Sequence, residues 1–156
     1  MLRWKRGERG AVKQLTDSDK RRLTPLIELP PSLFNLGYDA GDQHLPSMLI
    51  HAAGDVQRAW GTGRAFCDLG LMPPRAENAG GGHPVTLLWE YARRHRLNLV
   101  PVTGLLRSAR YQSAVRRVIA DDCSGACIRV HLRAASFGHI SKRLSSLMAS
   151  CNVQPA

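Results

Sequence analysis

Residues 84–104 read PVTLLWEYARRHRLNLVPVTG and contain one complete unit of the predicted fold. Pro84 suits the first turn of a helix, so the segment from Pro84 to Arg96 is predicted to be helical. The apolar run LNLVPVT at 97–103 then predicts a buried strand, and Gly104 ends it. A helix that leads directly into a buried strand is the repeating unit of α/β proteins.

The same alternation extends in both directions along the chain. Short apolar runs predict strands at 2–6, 23–29, 64–69, 97–103 and 126–132. Helical periodicity predicts helices at 47–60, 84–96, 108–120 and 135–148, with a short helical or turn segment at 11–22. Ser47 is the expected N-cap of the helix predicted at 47–60.

Five strand–helix units imply a parallel sheet with right-handed crossovers, and hence an α/β protein. Two architectures fit: a partial TIM-barrel-like array of about five units, and a doubly wound sheet. Polar residues near the carboxyl ends of the strands favour the barrel-like array. We expect residues 1–150 to form a single domain and residues 151–156 to be a frayed tail.

The chain is strongly basic, with 22 Lys and Arg against 12 Asp and Glu among 156 residues and a formal net charge of +10. This charge suits an anionic ligand. Nucleic acid is a less favoured partner, because aromatic residues, on which bases stack, make up only 6% of the chain. No apolar run is long enough to span a membrane, and the N-terminus lacks an apolar leader segment. We therefore expect a cytoplasmic protein with no membrane partner.

Several polar residues lie where parallel strands would bring them to one rim of the sheet. Glu28 and Asp68 are candidates for general acid and base, or for binding a divalent cation through oxygen. The candidates for substrate binding are Lys5, Glu8, Thr103 and Arg129, with the cations expected to hold an anion such as a phosphate ester. The alternative is structural: a buried Arg129 needs a carboxylate partner, and Glu28 or Asp68 is the natural one. No metal-binding motif, nucleophile–base motif or phosphate loop is visible, and no cofactor is indicated.

Two segments in the N-terminal part resemble a known family. WKRGERGAVKQL, from Trp4, and DSDKRRLTPLIELPP, from Asp17, are similar to the start of the beta protein family, which is named for a protein of T-even bacteriophages and has bacterial and prophage members. Phe66–Asp68, Pro101–Gly104 and the segment around Arg129 also look similar. The resemblance implies a phage or prophage association and no agreed reaction. It also implies that this chain corresponds to the N-terminal portion of a longer family domain.

Three functional hypotheses follow from these observations. The favoured hypothesis is a protein with an anion- or phosphate-recognising site at the strand ends, with its status as an enzyme open. The second is a non-enzymatic basic module that contacts nucleic acid or a protein partner. The third is a truncated product, for which a homodimer could complete the barrel from two halves, because open sheet edges are normally covered.

Overall fold

Five parallel strands form the sheet of the protein. The structure, a computed structural model, describes residues 1–34, 44–78, 82–131 and 139–151. The strands are β1 (Leu2–Arg3), β2 (Leu26–Glu28), β3 (Ala65–Asp68), β4 (Leu99–Thr103) and β5 (Cys127–Ile128). They pair in the order β1-β2-β3-β4-β5, and every pairing is parallel. The predicted α/β class with a parallel sheet is therefore confirmed.

Helices alternate with these strands. They are α1 (Arg6–Gln14), α2 (Asp17–Arg21), α3 (His44–Trp60), α4 (Pro84–Arg94), α5 (Ala109–Asp122) and α6 (Ile140–Ser150). Short 3₁₀ helices span Pro31–Phe34 and Pro74–Asn78. None of the helices within the described ranges is long and apolar enough to cross a membrane.

Capping residues fix where the two central helices begin. At the start of α4, His83 Nδ1 accepts a hydrogen bond from the Val85 amide at 3.2 Å, and Pro84 occupies the first turn. At the start of α5, Ser108 Oγ accepts from the Tyr111 amide at 3.0 Å. Both caps lie in loops that follow strands, so both helix N-termini are close to the carboxyl edge of the sheet.

The strand order follows the chain order without a reversal. A doubly wound sheet reverses its order at a switch point, whereas a barrel-like arc adds each strand beside the previous one. Helices that are consecutive in the chain also contact each other, since α3 packs on α4 and α4 packs on α5. These observations favour the barrel-like array over the doubly wound sheet. That the array corresponds to part of a TIM barrel stays a prediction.

The core lies between the sheet and the helices. Alternate strand residues such as Ile27 and Cys67 are almost completely buried against the helices, as period-two alternation requires. On α4, Leu88 and Trp89 are 1% exposed, and Trp89 Nε1 donates to the Leu99 carbonyl at 3.2 Å. This hydrogen bond satisfies the indole and fixes α4 over β4.

Several predicted element bounds were wrong. The extended segment expected at 2–6 ends at Arg3, and helix α1 begins at Arg6. The reason is the Glu8 carboxylate, which accepts from the amides of Arg3 at 3.1 Å and Lys5 at 3.4 Å and so satisfies donors at the helix start. The segment 11–22, expected to be helical or a turn, contains the end of α1 and the whole of α2. The two helices are separate because Thr16 and Asp19 form a capping box that starts α2.

Later bounds also differ from the predictions. Ser47 is not an N-cap, because α3 begins at His44, three residues earlier. Strand β5 spans only Cys127–Ile128 within the predicted 126–132, and α6 runs over Ile140–Ser150 rather than 135–148. Residue 132 of the predicted strand and residues 135–138 of the predicted helix lie outside the described residues, as do residues 152–156 of the predicted tail. Cys151 directly follows α6 and is 3% exposed.

Candidate anion-binding site at the strand ends

The carboxyl ends of the strands bring charged residues into one row. Arg3, Glu28 and Asp68 are the last residues of β1, β2 and β3, and they lie directly opposite one another in the sheet register. Thr103 ends β4, and its carbonyl accepts a hydrogen bond from the Arg129 amide at 2.8 Å. All five residues therefore lie at the same edge of the sheet.

Arg129 joins two of the predicted site residues. Its Nη1 donates to Asp68 Oδ2 at 2.8 Å and to Glu28 Oε1. Both carboxylates are buried, with Glu28 2% exposed and Asp68 fully buried. The predicted pairing of Arg129 with Glu28 and Asp68 is therefore confirmed as a contact. The hydrogen bond with Glu28, followed by the one with Asp68, raises the pKa of the Arg129 guanidinium, which remains charged.

A second arginine, Arg107, approaches Asp68 from the loop after β4. Its Nη2 donates to Asp68 Oδ1 at 2.8 Å and to Oδ2 at 2.9 Å, and the Gly70 amide donates to Oδ1 at 2.7 Å. A Cβ atom on Gly70 would overlap the Arg107 guanidinium, so glycine is what lets this arginine reach Asp68. Sequence reasoning missed Arg107; the available signal was its place in a loop after a parallel strand, where such proteins collect functional groups.

The Tyr111 ring packs against the Arg107 guanidinium. The Arg107 guanidinium lies over the Tyr111 ring, with 5.4 Å between its Cζ atom and the ring centroid. The phenol donates to the Val102 carbonyl at 3.0 Å and accepts from the Leu69 amide at 3.3 Å. Burial raises the pKa of Tyr111, so the phenol stays neutral and acts as a fixed hydrogen-bonding support.

Arg3 completes a group that we call the strand-end cluster: Arg3, Glu28, Asp68, Arg107 and Arg129. Arg3 Nε lies 3.6 Å from Glu28 Oε2, and its side chain is 62% exposed. The cluster holds three positive charges against two negative charges, which leaves one positive charge in excess. The side chains of Arg107 and Arg129 are 13% and 23% exposed, so the cluster is partly open to solvent.

Thr103 does not direct its side chain into this cluster. Cys67 is paired with Pro101, so Thr103 lies one position beyond the residue opposite Asp68, and its side chain is on the other face of the sheet from Glu28 and Asp68. The residue is completely buried, and its Oγ1 has no hydrogen-bond partner among the described residues.

The structure does not bring Lys5 and Glu8 into the strand-end cluster. The Glu8 carboxylate is engaged by the amides of Arg3 and Lys5 at the start of α1. The Lys5 side chain is exposed and lines a separate cavity beside Trp4 and Arg9. Of the six predicted site residues, Glu28, Asp68 and Arg129 therefore bring their side chains together, whereas Thr103 contacts Arg129 through its backbone carbonyl.

The described residues offer no cluster of three or more His, Cys, Asp and Glu side chains that could hold a metal ion. Cys67, next to Asp68 in β3, is buried, and this burial raises the pKa of its thiol well above the usual range. The Cys67 thiol is accordingly a packed core group and not a reactive one.

Fold and site together define an α/β protein with a parallel sheet and an arginine–carboxylate cluster at the carboxyl edge of that sheet. The family model for Beta protein matches residues 1–156, which is the whole chain. The chain therefore belongs to the Beta protein family. No curated protein and no solved structure is similar enough to the chain to count as a match.

Proposed function

We propose that the strand-end cluster binds a small anionic ligand, with a phosphate ester as the chemical class that fits it best. Arg107 and Arg129 hold the anion, and the more exposed Arg3 contributes the third positive charge. The observation that carries the proposal is the convergence of three arginines on two buried carboxylates at the strand ends, with one positive charge in excess.

The donor inventory of the two arginines supports this role. A guanidinium carries five N–H donors. Among the described residues, Arg107 engages Asp68 through Nη2 alone, and Arg129 engages the two carboxylates through Nη1 alone. The remaining donors of each group are available for the paired oxygens of a phosphate, which the planar guanidinium fork matches.

Asp68 and Glu28 differ in the roles that they can take. Both oxygens of Asp68 already accept hydrogen bonds, so this carboxylate positions Arg107 and Arg129. Glu28 Oε2 has only the longer 3.6 Å approach of Arg3. If the bound ester is also cleaved or rearranged, Glu28 is the better general base of the two, because one of its oxygens is less engaged.

The test measures phosphate binding in a variant that leaves the Asp68 ion pairs intact. Arg3→Gln removes the excess positive charge of the cluster, and its free energy of unfolding should change by less than about 1 kcal/mol, because Arg3 is 62% exposed and 3.6 Å from Glu28. Arg22→Gln is the matched control, because Arg22 is an exposed arginine directly after α2. Inorganic phosphate is titrated while the backbone amide resonances of Gly70 and Gly104, next to the cluster, are followed by NMR.

We expect phosphate to shift the Gly70 and Gly104 amides in the unmodified chain and in Arg22→Gln. In Arg3→Gln the dissociation constant should rise about fivefold, the equivalent of about 1 kcal/mol for one exposed charge. Amides that phosphate does not shift at low salt, or equal affinity in both variants, would show that the cluster is a structural ion-pair network.

A basic module that contacts nucleic acid is the second, less favoured candidate. Its support is a groove of about 460 Å³ between α5 and α6, which is lined by Arg116 and Lys142 together with Gln112 and Ser146. None of its lining residues in the described part of the chain is acidic. Binding to duplex DNA should weaken steeply with salt and weaken further in Arg116→Gln. The absence of affinity for DNA at low ionic strength would exclude it. The association with phages and prophages is likewise a proposal, supported by the family resemblance.

A further inference from the structure

A second polar groove lies between α4 and α5. Its volume is about 440 Å³, within the range of small-ligand pockets. The polar side chains of this α4–α5 groove come from both helices and from the cap of α4: His83, Thr86, Glu90, Arg110, Ser113 and Arg117. The His83 and Tyr111 rings meet edge to face at 5.9 Å between centroids, and the same Tyr111 ring lies under the Arg107 guanidinium of the strand-end cluster.

The α5 wall of the groove is positively charged. Arg110, Ser113 and Arg117 follow one another at spacings of three and four residues, which places them on one face of the helix. Within the described ranges, neither Arg110 nor Arg117 forms an ion pair or a hydrogen bond. The acid in the lining is Glu90, so the two arginines leave the groove with a net positive charge at neutral pH.

His83 supplies a donor that lacks an acceptor. Its Nδ1 accepts from the Val85 amide, so in the neutral ring the proton is on Nε2. Nε2 is buried, and it has no hydrogen-bond partner in the part of the chain that the structure describes. Burial lowers the pKa of His83, and the nearby Arg110 lowers it further against the opposing effect of Glu77, so the ring is neutral near pH 7.

We propose that the α4–α5 groove is a second binding site, which takes a diphosphate-bearing small molecule. Arg110 and Arg117 lie seven residues apart, about 10 Å along the helix axis, so their long side chains can bind adjacent phosphate groups. His83 Nε2–H and the Ser113 hydroxyl donate to the remaining oxygens. Because Nε2 is buried, the ligand reaches it by a small displacement of the groups that cover the ring.

The test uses inorganic pyrophosphate as the probe and the intact chain. Arg117→Gln removes one charge from the groove, and Arg94→Gln is the matched control, because Arg94 is an exposed arginine of α4 outside the lining. His83→Asn keeps an oxygen that can cap α4 and removes the Nε2 donor. Binding is followed by calorimetry and by the ring resonances of His83 in the chains that retain it.

Pyrophosphate should shift the His83 ring resonances, and its dissociation constant at this site should rise about tenfold in Arg117→Gln and in His83→Asn. Arg94→Gln and Arg3→Gln should bind at this site like the unmodified chain. Because Arg3→Gln weakens the strand-end cluster alone, failure of one site is distinguishable from failure of the other. His83 resonances that do not move at low salt, or equal losses in Arg94→Gln and Arg117→Gln, would overturn the proposal.

Discussion

At the level of single residues, Asp68 is the centre of the strand-end cluster. Its carboxylate accepts hydrogen bonds from Arg107, Arg129 and the Gly70 amide while fully buried, whereas Glu28 has one hydrogen bond and one longer ion pair. Buried charges that lose a partner are costly, since the remaining group is desolvated and unpaired. The contribution of Asp68 to stability should therefore exceed that of Glu28.

We predict that Asp68→Asn lowers the free energy of unfolding by about 3 kcal/mol or more and Glu28→Gln by about 1–2 kcal/mol. Urea unfolding followed by circular dichroism measures both. Asp121→Asn is the control, because Asp121 is 47% exposed and lies 3.8 Å from Arg93, an ion pair worth under about 1 kcal/mol. An effect of Asp68→Asn no larger than that of Asp121→Asn would contradict the assignment.

His83 makes the stability of α4 depend on pH. The unfolded histidine binds a proton near pH 6.5, and the folded one binds it only at lower pH, because burial lowers its pKa. As the pH falls below about 6.5, the unfolded state therefore gains protons first, and the free energy of unfolding falls. Protonation also turns Nδ1 into a donor and removes the cap on the Val85 amide.

The prediction is a decrease in stability between about pH 6.5 and pH 5 that is shallower in His83→Asn, where the cap does not titrate. Chemical unfolding at several pH values measures the two slopes. Glu77 and Arg110 are the charged groups that act on His83, and both are unchanged in the variant. Identical slopes would show that the His83 cap does not contribute to the pH dependence.

The position of each residue explains which site residues could be predicted from the sequence. Glu28, Asp68 and Arg129 were predicted because each interrupts or ends an apolar strand, where a charged residue stands out. Arg107 was missed because it lies in a loop, where arginine is common and no periodicity marks it. The separation of Lys5 and Glu8 from the cluster depends on the turn from β1 into α1, which local capping by Glu8 decides.

Among the secondary-structure elements, the central strands were the most predictable. β3 and β4 are apolar runs with clear ends, so their positions follow from hydrophobicity alone. The start of α1 was not predictable, because Lys5 is a weak N-cap residue and Gly7 and Gly10 lower helix propensity. The Glu8 carboxylate compensates, and its effect depends on contacts that no sequence pattern shows.

The contact between β4 and β5 depends on Gly104. A Cβ atom at this position would overlap the Arg129 carbonyl oxygen, which is backbone and cannot move aside as a side chain can. We predict that Gly104→Ala lowers the free energy of unfolding by about 2 kcal/mol or more and weakens phosphate binding, because it displaces Arg129. Gly10→Ala is the control: nothing lies within 4 Å of its added Cβ, and alanine in a helix should stabilise by about 0.5–1 kcal/mol. A harmless Gly104→Ala would contradict the observed packing of β4 on β5.

For the whole molecule, the sheet order decides how its edges behave. β1 and β5 each pair with one neighbouring strand in the described residues, and Val130, just after β5, is 45% exposed. Unpaired edges of parallel sheets are normally covered by another element or another chain. We therefore predict that the protein forms a homodimer through the β5 edge.

Size-exclusion chromatography with light scattering, over a range of concentrations, measures the mass. Val130→Lys should shift the equilibrium towards the monomer, because a lysine at a sheet edge opposes pairing. Ile50→Lys is the matched control, since Ile50 is equally exposed, at 45%, and lies on α3 away from that edge. A monomer at all concentrations, or equal effects of the two lysines, would contradict edge pairing.

The sequential strand order also has a consequence for how the chain folds. Each strand pairs only with the strands that precede and follow it in the chain, so the first units can assemble while later ones are still being synthesised. The contact between Arg129 and Glu28 is different, because it joins positions 101 residues apart. It can form only after β5 has docked, so any ligand that depends on Arg129 binds only to chains in which all five strands of the described sheet are in place.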